Sequence, residues 1–219
     1  MVLPTSICND PRYKDQLMSI ETASDIPEEW RHTPIEALIR SENFGQPIPE
    51  LVQSPQLLIT ACIEFRYALP IPRMYAYVIR RASGRLNGSE FSMAYVLAQG
   101  VRHLALIGHN DCGMTKVKEA KPRLIDALVE QGWNRERAED FINGQAARHQ
   151  MKDELDGLRR EYSRLKRLFK NLVIAPMFVD LADTHLFIPK WYFESAANST
   201  DSPCEVDDVD LLTMLGSEA

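Results

Sequence analysis

Two stretches of the 219-residue sequence concentrate the side chains able to do chemistry. Cys62-Ile63-Glu64-Phe65-Arg66 sets a thiol, a carboxylate and a guanidinium at alternate positions, and His109-Asn110-Asp111-Cys112 sets an imidazole three residues before a second thiol. A lone His-x-x-Cys is more often an incidental strand end followed by a turn than half of a metal site. A third donor changes that balance. Cys62 closes the apolar run QLLITA, and His109 closes HLALIG. In open parallel sheets the carboxyl ends of strands face the ligand crevice, so if these two strands are neighbours, Cys62, His109 and Cys112 meet at one point. Two thiolates and one neutral imidazole suit Zn²⁺, and three protein ligands leave its fourth tetrahedral position open, as catalytic rather than structural sites do.

Glu64 and Arg66 form the second constellation. Two residues apart in extended backbone, they project to the same side, where Arg66 can hold the carboxylate through two parallel hydrogen bonds. Fixed so, Glu64 either accepts a hydrogen bond from water at the metal or reaches the metal and shuts the site. The bland alternative is an exposed ion pair in a loop, worth under about 1 kcal/mol. The remaining histidines add little: His103 begins a strand, and His32, His149 and His185 lie in polar stretches.

The elements that must position these residues read as a single α/β domain. Thr33 as N-cap, Pro34 at the first helical position and Glu36 closing a capping box start a helix that ends near Gly45. Gln56–Ile63, Tyr75–Arg80 and His103–Gly108 are short apolar strands, with a helix over Ser89–Gly100 between the second and third. This order predicts a central, mostly parallel sheet of four to five strands flanked by helices. From Thr115 to Lys170 the pattern is helical and charged, and Leu155, Leu158, Tyr162, Leu165 and Leu168 mark an amphipathic stripe. Val173–Ala182 and Thr184–Pro189 complete the strands. The implied organisation is an N-terminal arm over 1–32, an α/β domain over 33–193 and an acidic tail over 194–219. The tail has seven acidic residues and no Lys, Arg or His. It reads either as a frayed end or as a segment that docks on a protein partner or neighbouring subunit, with Asp207 or Asp208 capping a short helix.

Composition sets the outer limits. A chain that is 45% hydrophobic and 26% charged has the balance of a soluble domain, and a net charge of −6 offers no electrostatic footprint for nucleic acid. No apolar run approaches the ~20 residues needed to span a bilayer, and the first residues do not have the pattern of a signal peptide. Cys8, Cys62, Cys112 and Cys204 lie far apart and read as free or metal-bound thiols, with a cytoplasmic location expected.

Taken together, Cys62–Arg66 and His109–Cys112 resemble the β-class carbonic anhydrase family, whose hallmark is C-x-D-x-R followed by H-x-x-C. Tyr77–Gly84 is similar to the family's arginine, asparagine, alanine, glycine segment, and the likeness runs from about Thr33 to Ile188. The resemblance implies Cys62, His109 and Cys112 as zinc ligands, with Arg66 partnering the catalytic acid at Glu64. It also implies a homodimer or higher homo-oligomer, with the 1–32 arm reaching onto the neighbouring subunit. The activity implied is a lyase reaction, the reversible hydration of carbon dioxide to bicarbonate, in which zinc lowers the pKa of water to about 7 and Glu64 orients that water. Ile63 and Phe65 are then expected as apolar walls for the substrate.

Three departures stand out. Glu64 replaces aspartate, Phe65 stands where serine is common, and Arg81 and Ser83 stand where asparagine and glycine are usual. They open two alternatives: hydrolysis of carbonyl sulfide or carbon disulfide on the same site, and a catalytically silent zinc-binding homologue with a scaffold or regulatory role.

Overall fold

The structure, a computed structural model, describes residues 6–48 and 54–197. Its strands are β1 (Leu17–Ser19), β2 (Leu57–Ala61), β3 (Ala76–Arg80), β4 (His103–His109), β5 (Val173–Val179) and β6 (Leu186–Pro189), joined in one sheet in the order β1-β6-β5-β4-β2-β3. β2 pairs in parallel with β3 and β4, and β4 with β5, while β6 runs antiparallel to β5 and β1 antiparallel to β6. Every residue of β2 is buried, and β5 is buried from Ile174 to Val179. A strand covered on both faces needs no polar alternation, which is why these segments read as continuous apolar runs.

Six strands, rather than four to five, make the sheet. The additional one is β1, whose three residues are too few to show any period. It belongs to the segment expected as an arm, and that segment also buries Ile7, Tyr13, Ile20, Ile26 and Trp30 in this chain's own core. Trp30 is fully buried and packs on Tyr192 with ring centroids 4.9 Å apart. Single apolar residues spaced between prolines anchor this segment one short turn at a time.

The helices are α1 (Pro34–Phe44), α2 (Glu90–Ala98), α3 (Val117–Glu130), α4 (Arg135–His149), α5 (Glu154–Leu168) and α6 (Trp191–Ala197). Thr33 caps α1 by accepting from the Ile35 N–H at 3.2 Å, and Gly45 ends it at φ 64°. Glu36 reaches back one residue further than a capping box requires, to the His32 N–H at 2.5 Å. The charged stretch after Thr115 resolves into three helices. α3 and α4 pair chiefly with each other, while α5 lays Leu155, Leu158 and Leu165 against β4 and β5. α6 continues past the expected domain boundary at 193, and the capped helix and docking role expected of the acidic tail lie outside the described residues, as does Cys204. Among the described residues no helix is long and apolar enough to cross a membrane.

Candidate metal centre

Parallel pairing of β2 with β4 sets Ala61 opposite Ile107, so Cys62 leaves its strand beside the end of β4, where His109 stands. Asp111 then takes a left-handed conformation, φ 51°, which Asp tolerates better than most residues, and the chain doubles back to bring in Cys112. The three donor atoms lie within 4.8 Å of one another, all on buried residues, and form the sole such cluster of three among the described residues. The two Sγ atoms are 3.9 Å apart. Two Zn–S bonds of about 2.3 Å at a tetrahedral angle would span about 3.8 Å.

His109 is prepared to ligate through one nitrogen. Its Nδ1 lies 2.8 Å from the Asn110 carbonyl oxygen, which can only accept, so Nδ1 carries the hydrogen. The lone pair is thereby left on Nε2, a buried atom with no hydrogen-bond partner. The thiols show the same incompleteness. The two sulfurs lie within hydrogen-bonding reach and either can donate, so they titrate together: the hydrogen bond between them pulls one thiol, Cys62, down and, with burial, pushes the other, Cys112, up. One proton shared between two sulfurs is the arrangement that a divalent cation would replace, leaving both as thiolates. The donor set therefore fits a bound metal ion.

A polar scaffold fixes the turn that carries two of these donor residues. Asn110 is buried between His109 and Cys112; its Oδ1 accepts from the Leu181 N–H at 2.9 Å and its Nδ2 donates to Asp180 at 3.2 Å. Asp180, fully buried just beyond β5, also accepts from the Ser6 hydroxyl at 2.8 Å and the Ile7 N–H at 2.9 Å, tying the N-terminal segment to the site. Glu154, buried in the first turn of α5, accepts the Cys112 N–H at 3.1 Å. Gly84 adopts φ +69°, a left-handed conformation that favours glycine, where a Cβ would be in ordinary contact, 3.4 Å, with the Cys62 nitrogen. A small cavity of about 20 Å³, room for about one water, is lined by Cys62, His109 and Cys112 together with Met151 and Glu154.

Beside this cluster stands the ion pair. Arg66 donates through Nε to Glu64 Oε1 and through Nη2 to Oε2, both at 2.7 Å, and its own backbone N–H reaches Oε1 at 2.9 Å. The pairing arises across a turn rather than along extended backbone. The third guanidinium nitrogen, Nη1, meets Asp111 Oδ2 at 2.8 Å. Hydrogen bonding from Arg66 holds the Glu64 carboxyl at about 2, so it is ionised throughout the neutral range. Both Glu64 oxygens face Arg66, and the carboxylate is outside the three-residue cluster.

Cys62, His109 and Cys112 thus come together, with Glu64 and Arg66 alongside. Ile63 and Phe65 do not form the expected walls: they are 60% and 74% exposed on this chain and line no part of the cavity. The cause is local, because the turn that draws Glu64 back onto Arg66 sends its two neighbours outward. Sequence reasoning overlooks Asp111, which sits in plain view between His109 and Cys112, and Glu154, for which no sequence signal exists. It also passes over Arg80, which lies within the Tyr77–Gly84 segment without an expected role.

Comparison with known proteins bears on the fold. No protein-family model matches the sequence, and no curated protein matches it. Among solved structures, β-carbonic anhydrase isoform I from Trichomonas vaginalis superposes with a TM-score of 0.53 at 20% identity, covering 67% of this chain and 88% of that one. A carbonic anhydrase from Glaciozyma antarctica (TM-score 0.49, 19% identity, 74% and 98% covered) and an apo carbon disulfide hydrolase (0.47, 14%, 85% and 100%) are more distant. The chain is thus an α/β protein built on a mostly parallel sheet, with a Cys-His-Cys cluster at the strand ends. Its architecture is that of the β-carbonic anhydrases.

Proposed function

We propose that the protein binds Zn²⁺ through Cys62, His109 and Cys112 and catalyses the reversible hydration of carbon dioxide to bicarbonate. The observation that carries this reading is the three-donor cluster, with a sulfur–sulfur distance of 3.9 Å and an unpartnered His109 Nε2 facing the thiols. Zinc held there supplies the Lewis acidity that makes water nucleophilic at neutral pH. The chain's own residues do the rest. Glu64 stays anionic because Arg66 saturates Oε1 and one side of Oε2, leaving an acceptor position on Oε2 for the hydrogen of the reacting water. With that hydrogen engaged, an oxygen lone pair is free to face the carbon of carbon dioxide. Asp111 grips Arg66 from the other side, so the guanidinium is oriented at both edges.

Because Glu64 is bound edge-on by Arg66, its longer side chain is compatible with an open fourth metal position. A cytoplasmic homodimer or higher homo-oligomer is part of the same proposal. Exposed Ile63 and Phe65, one on each side of Glu64 in sequence, are apolar surface that a second copy would cover, and light scattering measures the association.

Stopped-flow carbon dioxide hydration on zinc-quantified protein between pH 6 and 9 tests the reading. A rate above buffer that disappears in Cys112→Ala is expected. Full zinc occupancy with no rate at any pH would refute it in favour of a silent homologue, and turnover of carbonyl sulfide or carbon disulfide alone would reassign the substrate.

A further inference from the structure

The loop from Cys62 to Tyr67 carries one proposed metal ligand and both members of the ion pair, yet it leaves the sheet at Ala61. Its carbonyls therefore have no ladder partners, and buried or half-buried carbonyls need donors. Arg80 supplies donors to three of them. It is the last residue of β3 and the register partner of Ala61. Its Nη1 donates to the Cys62 carbonyl at 3.1 Å and to the Glu64 carbonyl at 3.2 Å, and its Nη2 to the Tyr67 carbonyl at 2.8 Å. The guanidinium also lies 5.8 Å from the centre of the Tyr67 ring. Tyr67 is 3% exposed, and its hydroxyl donates to Glu42 Oε1 on α1 at 2.7 Å. The hydrogen bonds of the Arg80 guanidinium go to the backbone of this one loop.

The consequence for the site is geometric. His109 and Cys112 ride on the end of β4 and its turn, whereas Cys62 and Glu64 ride on a separate loop. The β4 turn reaches this loop through Asp111, which accepts from the Arg66 guanidinium at 2.8 Å (Oδ2) and 3.3 Å (carbonyl), but that contact is made to a side chain, and the path of the loop's own backbone from Cys62 onward is held separately. We infer that Arg80 is a positioning residue for the metal centre: by holding the carbonyls of Cys62, Glu64 and Tyr67 it sets the Cys62 sulfur and the Glu64 carboxylate relative to His109 and Cys112. Tyr67 and Glu42 anchor the far end of the loop to α1. This inference rests on the proposed metal site, though not on the identity of the substrate.

The test measures zinc affinity, by competition with a chromophoric chelator, and the ligand-field spectrum of the Co²⁺-loaded protein, for the parent, Arg80→Lys and Tyr67→Phe. Lysine keeps the charge but, as a compact ammonium, cannot bridge the three carbonyls that the planar fork spans. Arg80→Lys is expected to weaken zinc binding about 10- to 100-fold, the usual cost of losing an outer partner of a ligand, and to alter the Co²⁺ spectrum. Tyr67→Phe removes one hydrogen bond at the far end and should weaken zinc binding by about 2- to 10-fold.

A purely structural role would lower the melting temperature of the metal-free protein while leaving zinc affinity and the Co²⁺ spectrum at parental values, and that result overturns the inference. Should Arg80→Lys fail to fold, an unchanged zinc affinity in Tyr67→Phe overturns it equally. A parent that binds zinc but hydrates no carbon dioxide, alongside an impaired Arg80→Lys, refutes the proposed reaction and upholds the role of Arg80. A parent with no zinc affinity refutes both.

Discussion

Replacing Glu64 by glutamine removes one charge and almost no volume, which isolates what the ion pair contributes. The Glu64 and Arg66 side chains are 9% and 16% exposed, between an open surface pair and a fully buried one. Arg66 holds the Glu64 carboxyl at about 2, against an ordinary value of 4.5. At about 1.4 kcal/mol per pKa unit, that depression sets a ceiling of about 3 kcal/mol on the stabilisation at neutral pH. Glutamine's carbonyl retains one neutral hydrogen bond to Arg66, so we expect Glu64→Gln to cost about 2 kcal/mol.

The pH dependence gives the sharper test. The unfolded chain takes up this proton near pH 4.5 and the folded chain only near 2, so the contribution is complete above about pH 4.5 and is lost as pH falls through about 2. Urea unfolding of metal-free parent and variant at pH 7, 5, 4 and 3 should show a difference that is constant down to about 5 and then narrows. A difference that does not change with pH, or one below about 0.5 kcal/mol throughout, would refute the assignment of Glu64 as an ionised, Arg66-bound carboxylate.

Other parts of the molecule give three further expected outcomes. Burial raises Glu42 to about 7, against the hydrogen bond from Tyr67, so the folded state binds more protons than the unfolded state between about pH 4.5 and 7; the melting temperature of the parent should fall relative to Glu42→Gln as pH rises through that window. Zinc at 100 times its dissociation constant should stabilise the parent by about 2.7 kcal/mol in thermal or urea unfolding, and Cys112→Ala should abolish that gain without destroying the fold. Trp30→Ala should cost about 3–5 kcal/mol in urea unfolding, because Trp30 is fully enclosed in this chain's core; a loss under 1 kcal/mol would show that the N-terminal segment is only loosely held.

What is legible in the sequence divides along physical lines. β2, β4 and β5 announce themselves because strands buried on both faces must be apolar throughout, and α1 because its cap and its terminating glycine are local signals. Cys62, His109 and Cys112 are legible once parallel pairing of their strands is assumed, since strand ends in such a sheet converge. β1 is not, because three residues carry no period and its partner β6 lies some 170 positions away in the chain. Phe65 departs from expectation because its place as a wall was implied by the resemblance alone, and the turn that draws Glu64 onto Arg66 leaves Phe65 facing outward. Asp111, Glu154 and Arg80 contribute through contacts spanning 45, 42 and 13 to 18 residues, and no composition or spacing rule reaches across such gaps.

The turn that draws Glu64 onto Arg66 also accounts for the extra methylene at Glu64. Oε1 accepts from the Arg66 backbone N–H as well as from its side chain, so the carboxylate is bound within a short backbone-anchored ring before the guanidinium completes the fork. A side chain closed on its own i+2 residue spends its additional length curling along the loop rather than extending toward the sulfurs. The loop's course is in turn set by Arg80 through the carbonyls on either side of Glu64 and its own. Glu64 can therefore stand where aspartate is usual without entering the ligand cluster. In the proposed zinc site, whether the fourth position stays open is decided by the path of the loop's backbone more than by the length of the side chain it carries.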